Sequence, residues 1–358
     1  MQPQCQTMNA LADIIKAKED VSIDLCSMKN LELEVLRYLY RNVKDENYHQ
    51  IGHTYMRLLS PFHPDKNDVR AADWLFVLNT LNSGSFWLPN NETWTVHGLT
   101  GYMALCAAIK RAIDKGVPMW NPKFYTALNE RAMEEIFRGD KGITIPYLVE
   151  KMTILHDIGT ILLDKYKGTF INCIRSCQRN PLQLVITLFN DFEPYHEKEI
   201  YNEKNVFLYT KAWIMVNDVW AFFKNHQLGL DMKIQKIPTI YVDYRVSRIF
   251  IYFKVLRYSK RLIDKIKETD EDFSLDTLRG SKEEIEIRSS SIFLANLLNK
   301  RLQSRHGKFD KEKGQYCDST FDYSCIIDNF FWDYQQVNDA QLKKVELCDV
   351  STGHYYYK

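Results

Sequence analysis

Apolar residues recur at helical spacing along most of this chain. Residues 69–82 place Trp74, Val77, Leu78 and Leu81 on one face, and residues 99–114 place Tyr102, Leu105, Cys106 and Ile109. The same stripe runs through Leu148, Met152, Leu155, Ile158 and Leu162 of residues 145–165. It returns in Tyr209, Trp213, Val216 and Trp220 of residues 206–224, and in Ile285, Ile292, Ala295 and Leu302 of residues 282–303. Such spacing predicts helices that bury one side. Ser281 with Glu284 three residues later fits a capping box, and Thr144 before Ile145-Pro146 fits an N-cap with proline in the first turn. Strand alternation is scarce, with 93–97 and 238–242 the best extended candidates. The polar stretch Ser304 to Thr320, which holds Gly307 and Gly314, reads as a mobile loop insertion. No linker rich in Pro, Gly or Ser divides residues 1–358. The pattern predicts an all-α fold with few short strands, built as a single compact helical domain with two lobes.

Composition narrows the function classes. A hydrophobic share of 45% with 26% charged residues supplies a sizeable core. Lys+Arg is 47 against Asp+Glu 46, a net charge of +1. That balance speaks against a nucleic-acid polymer as partner, which draws on clustered cations. A single nucleotide needs one or two cations only. The eight cysteines form no C-x-x-C pair, the first twenty residues carry no apolar signal segment, and no apolar run is long enough to span a membrane. A cytoplasmic protein with reduced thiols, and no membrane partner, is the expectation.

Candidate chemistry stands in a few places, each with a bland alternative. Asp243 follows the extended run Ile237 to Val242 and precedes the periodic Val246, Ile249 and Phe253. It reads as a helix N-cap. The same placement holds a carboxylate ionised, through backbone N–H groups and the macrodipole, which suits stabilising a cationic sugar or orienting a water. Lys211 and Asp218 lie seven apart on one predicted helix, hence on one face; the alternative is two solvated charges. Glu284 and Arg288 form an i, i+4 pair that would be a cap plus a surface ion pair. Arg288, however, shares the stripe of Ile285, Ile292 and Ala295, where a guanidinium wants an internal carboxylate or a phosphate. Trp332-Asp333-Tyr334 reads either as core aromatics with a surface Asp or as part of a stacking wall. Glu46, His49 and His53 have metal-compatible spacing, but Gly52 and the polar surroundings make them incidental, as is the Cys173/Cys177 pair. There is no nucleophile elbow, P-loop or dinucleotide fingerprint.

Taken in order, several short segments resemble the queuosine salvage protein family, the queuosine 5′-phosphate N-glycosylases. They are Trp74-Leu75-Phe76-Val77 with Thr80-Leu81-Asn82, Gly101 to Ala108, Gly168 to Cys173, Tyr209 to Trp220, Val242-Asp243-Tyr244-Arg245, Glu284 to Arg288, and Trp332-Asp333-Tyr334. The resemblance implies a helical fold like the helix-hairpin-helix DNA glycosylases, and hydrolysis of the N-glycosidic bond of queuosine 5′-phosphate to release queuine for salvage into tRNA modification. It implies no metal or organic cofactor and a modified nucleoside 5′-monophosphate as substrate. Asp243 matches the family's catalytic aspartate. Asn82 and Asp218 become candidates for reading base edges. Tyr241, Trp332 and Tyr334 become candidates for stacking, and Arg245, Arg288 and Lys211 for meeting the phosphate. The chain departs from the pattern where Thr210 stands for a lysine, Lys211 for an arginine, Met103 for an aromatic and Ser247 for a proline. The Asn82 to Trp87 run is also one residue longer than the family's. A weakly active or silent nucleoside-binding homologue is the alternative, and a nucleic-acid base glycosylase a more distant one.

Overall fold

A computed structural model describes residues 3–42, 61–65, 67–82, 93–223, 228–230, 244–268, 278, 280–312 and 323–342. In chain order the elements begin α1 (Pro3–Ala17), β1 (Val21–Ile23), α2 (Met28–Asn42), α3 (Ala71–Leu81), β2 (Thr95–Val96), β3 (Leu99–Thr100) and α4 (Gly101–Asp114). They continue with α5 (Pro122–Tyr125), α6 (Glu130–Ile136), α7 (Leu148–Tyr166), α8 (Phe170–Ser176) and α9 (Pro181–Asp191). The hairpin β4 (Lys198–Tyr201) and β5 (Lys204–Phe207) leads into α10 (Thr210–Phe223) and α11 (Tyr244–Tyr252). The order closes with β6 (Leu256–Tyr258), α12 (Lys260–Glu268), α13 (Lys282–Glu312) and α14 (Ser324–Leu342). The described structure is mostly helical, and its strands pair two by two, all antiparallel: β1 with β6, β2 with β3, β4 with β5.

The chain forms two compact units. The first gathers Met1–Met56, Lys198–Thr210 and Lys236–Val350; the second gathers Arg57–Glu197, Lys211–Gln235 and Ser351–Lys358. In the first, the apolar faces of α2, α11, α13 and α14 share one core, with Leu31, Val35, Ile249, Phe250, Leu294, Leu298 and Phe330 buried in it. Leu11 and Ile14 of α1 pack with Tyr201, Val206, Leu208 and Ile285 in a smaller cluster. Glu286 ties these parts together: its carboxylate accepts from Glu19 N–H, Asp20 N–H and the Tyr201 hydroxyl, at 2.9–3.1 Å. The capping box at α13 forms, with Glu284 N–H donating to Ser281 Oγ at 3.1 Å and the Glu284 carboxylate accepting from Gly280 N–H at 2.6 Å.

In the second unit α3 is mostly apolar, and all of its residues, Asp73, Asn79 and Thr80 included, are buried. A helix of that composition belongs inside a core. Phe76 stacks on Phe170 of α8, with centroids 4.2 Å apart, and on Tyr195. Asp73, in the first turn of α3, accepts from Phe170 N–H at 2.5 Å and Thr169 Oγ1 at 2.7 Å, joining the starts of α3 and α8. Burial pushes the Asp73 carboxyl up to about 6 against these donors. Gly159 of α7 lets α5 approach closely: a Cβ there would meet Thr126 Cγ2 at 2.4 Å and the Tyr125 ring at 2.6 Å.

Five periodic segments reappear as α3, α4, α7, α10 and α13, with three differences. Val206 and Phe207 belong to β5, not to the helix that follows. The start of α7 is Leu148 after Tyr147, which takes a left-handed φ of 58°; Thr144 instead bridges Arg138. Pro146 disfavours helical backbone at Ile145, which removes Thr144 as the N-cap, and the left-handed Tyr147 sets the start at Leu148. Helix α13 runs on to Glu312 and takes in residues 304–312 of the stretch expected as a loop, since one glycine, Gly307, costs a long helix only about 1 kcal/mol. Residues 313–320 and the extended candidate 238–242 lie outside the described residues, as do Glu46, His49 and His53.

Candidate active site

The C-terminal end of α3 collects most of the buried polar groups of the second unit. The last carbonyls of a helix lack intrahelical donors and carry the negative end of the macrodipole. Two lysines meet them. Lys211, in the first turn of α10, donates from Nζ to Thr80 O at 3.0 Å, and Lys151 of α7 donates to Leu81 O at 3.2 Å. Both are buried, Lys151 at 1% exposure. Lys211 Nζ also lies 5.3 Å from the centre of the Tyr195 ring. Glu197 accepts from Lys211 N–H at 2.8 Å, placing an anion at the N-terminus of α10 where the dipole favours it. Asn82 follows as the C-cap of α3, half-buried, with its N–H on Leu78 O.

One turn back on α3, Asn79 Nδ2 donates to Asp218 Oδ2 at 2.7 Å. The Tyr195 hydroxyl sits 3.0 Å from Thr80 Oγ1 and 3.4 Å from Asn79 Oδ1. Asp218 is fully buried on α10. The bland expectation of two solvated charges at 211 and 218 therefore fails: α10 is buried along most of its length, and both side chains point into polar company. Burial holds the Lys211 ammonium well below the ordinary lysine range; the charge of Lys151 adds to this and Glu197 opposes it.

The sequence does not single out Lys151, which stands beside the apolar stripe expected at Met152. The buried stripe of α7 is Lys151, Ile154, Leu155, Ile158 and Leu162, so a lysine occupies the position expected for Met152. Burial brings its ammonium down to about 7 from 10.5. Between those values the unfolded chain holds a proton that the folded chain has released, so this lysine makes stability rise with pH across that window. The stability of wild type relative to Lys151→Met should thus increase between neutral pH and about pH 9.5, by roughly 3 kcal/mol. Urea denaturation at the two pH values measures it; a pH-independent difference would refute the assignment.

The first unit holds the other candidates. Arg288 is buried on α13, with Glu284 Oε1 4.0 Å from its Nη1, so the pair is internal and not the surface bridge of the bland reading. Arg245 lies in the first turn of α11, and its side chain lies outside the described residues. Asp243, which immediately precedes α11 in sequence, and Tyr241 also lie outside them. Ser247 Oγ meets Ser291 Oγ at 3.0 Å and joins α11 to α13. Trp332 is half-buried on α14. Tyr334 packs against Phe330, Phe253 and Tyr252 at 5.1–6.2 Å, within an aromatic cluster of its own unit. The exposed Asp333 accepts from the Tyr38 hydroxyl. Cys177 donates to Cys173 O, and among the described residues no group of three or more potential ligands could hold a metal ion. None of the described helices is long and apolar enough to cross a membrane.

Buried ionisable side chains thus gather at one helix end of a mostly helical chain whose overall charge is balanced. The sequence pattern described as "Queuosine salvage protein" matches residues 62–356. The chain belongs to the queuosine salvage protein family. It is 31% identical over 292 residues to the queuosine 5′-phosphate N-glycosylase/hydrolase of Mus musculus, covering 80% of this chain and 82% of that one. It is 28% identical over 305 residues to the Bos taurus protein of the same name, covering 84% and 86%. The Nematostella vectensis protein of that name is 29% identical over 291 residues, covering 78% and 80%.

Proposed function

We propose that this protein is a hydrolase that cleaves the N-glycosidic bond of queuosine 5′-phosphate, releasing queuine and ribose 5-phosphate. The observation that carries the reading is family membership across residues 62–356, with relatives of that name aligned over most of both chains. The helix-hairpin-helix glycosylase-like subtype and a cytoplasmic setting belong to the same reading.

Cleavage passes through a cationic, oxocarbenium-like sugar. A fixed anion lowers that barrier most where water is excluded. Asp243 takes this role and orients the attacking water. The leaving base is a 7-deazaguanine and lacks the ring nitrogen that a purine would protonate, so its departure relies on hydrogen bonds to other base edges. Asp218 and Asn82 supply these. Trp332 and Tyr241 stack on the base, each contact worth roughly 1–3 kcal/mol. Tyr334, already engaged with three aromatic neighbours, supports the wall more than it faces the base. Arg288 and Arg245 meet the 5′-phosphate. Lys211, first grouped with them, is committed to the carbonyl end of α3.

Incubation with queuosine 5′-phosphate should release queuine detectable by chromatography. Thr210, in place of the family lysine, favours a second reading as a silent nucleoside-binding homologue. Calorimetric binding of the nucleotide with no queuine released would establish that reading and overturn the first.

A further inference from the structure

We infer that Asn79 is a positioning residue that fixes the plane of the Asp218 carboxylate for recognition of the base. The inference rests on the proposed reading of Asp218 and extends it to a residue that never needs to touch substrate. A buried carboxylate on a helix can rotate about its side-chain torsions unless a donor holds it. Asn79 Nδ2 is one such donor, at 2.7 Å from Oδ2. The amide is itself held: its Oδ1 faces the Tyr195 hydroxyl at 3.4 Å, and that hydroxyl contacts Thr80 Oγ1 at 3.0 Å. Asn79, Thr80, Tyr195 and Asp218 are all buried. The amide is oriented because only its nitrogen can donate to the carboxylate while its oxygen meets the phenol. Among the described residues, Lys211, Lys151 and Glu197 are the other charged side chains gathered at this helix end, and Lys211 faces the Tyr195 ring.

An acid in place of the amide gives a test with an internal control. In Asn79→Asp the new carboxyl can donate to Asp218 only while the pair shares a proton, and like charges this close cannot both ionise cheaply. Queuine is the probe and calorimetric Kd the readout, so turnover is not required. Queuine should bind Asn79→Asp within about threefold of wild type near pH 5.5 and at least about tenfold more weakly near pH 9. Asn79→Ala should bind about tenfold more weakly at both pH values. The low-pH recovery is what a merely structural asparagine would not produce. Asp218→Asn serves as the separate check on the premise and should also weaken queuine binding by about tenfold or more. If Asp218→Asn is impaired while Asn79→Ala is not, or if the affinity of Asn79→Asp is flat with pH relative to wild type, the positioning role is overturned. If Asp218→Asn binds queuine like wild type, the reading of Asp218 itself falls.

Discussion

Asp243→Asn should fold like wild type and bind queuosine 5′-phosphate, yet release queuine slower by a factor on the order of a hundred to a thousand. The substitution keeps size and shape and removes one negative charge. An asparagine caps a helix about as well as an aspartate, so the N-cap role expected of this position from the sequence is kept. What disappears is the anion proposed to lower the energy of the sugar cation. Ground-state binding of a neutral ribose gains little from that anion, so the effect should fall on kcat more than on KM. Single-turnover release of queuine, followed by chromatography beside a calorimetric Kd, separates the two. Wild-type turnover in this variant would remove Asp243 from the mechanism.

Glu286→Ala should cost stability more than chemistry. The buried carboxylate accepts from two donors enclosed in the first unit, Asp20 N–H and the Tyr201 hydroxyl, and from Glu19 N–H nearer the surface. Truncation leaves the two enclosed donors without their acceptor, at roughly 1–3 kcal/mol each. A loss of about 3 kcal/mol is a large share of the 5–15 kcal/mol that typically separates folded from unfolded chains. The urea midpoint should fall with the slope unchanged. Glu286→Gln should lie between, because one oxygen still accepts while the amide nitrogen turns a donor toward a donor. A midpoint for Glu286→Ala within error of wild type would show that water or rearrangement satisfies the same groups.

The helices were legible where burial and apolar spacing coincide, as in α3, α4 and the first two-thirds of α13. The hairpin of β4 and β5 was not. Its strands mix exposed lysine and isoleucine with a half-buried glutamate, and its turn places Asn202 and Glu203 at positive φ, a conformation that glutamate does not advertise. The polar site was half legible. Lys211 and Asp218 stood out as charges seven apart on an apolar helix. Asn79 and Lys151 did not, because an amide inside Val77-Leu78-Asn79-Thr80-Leu81 and a lysine beside Met152 look like ordinary interruptions of a stripe until their partners on other elements are known. Those partners lie 70 and 139 residues away in the chain, beyond the reach of periodicity. Arg288 shows the converse: its place on the stripe signalled an internal partner, and Glu284 lies within its reach.

The three-part threading of the first unit bears on how the chain acquires its shape as it leaves the ribosome. Arg57–Glu197 emerges as one continuous stretch and carries α3 to α9, whose contacts are available soon after synthesis. Helix α1 emerges before all of it, yet the carboxylate that receives Glu19 N–H is translated 267 residues later. Until then Leu11 and Ile14 lack Tyr201, Val206, Leu208 and Ile285, the later-made side chains they pack against in the finished unit.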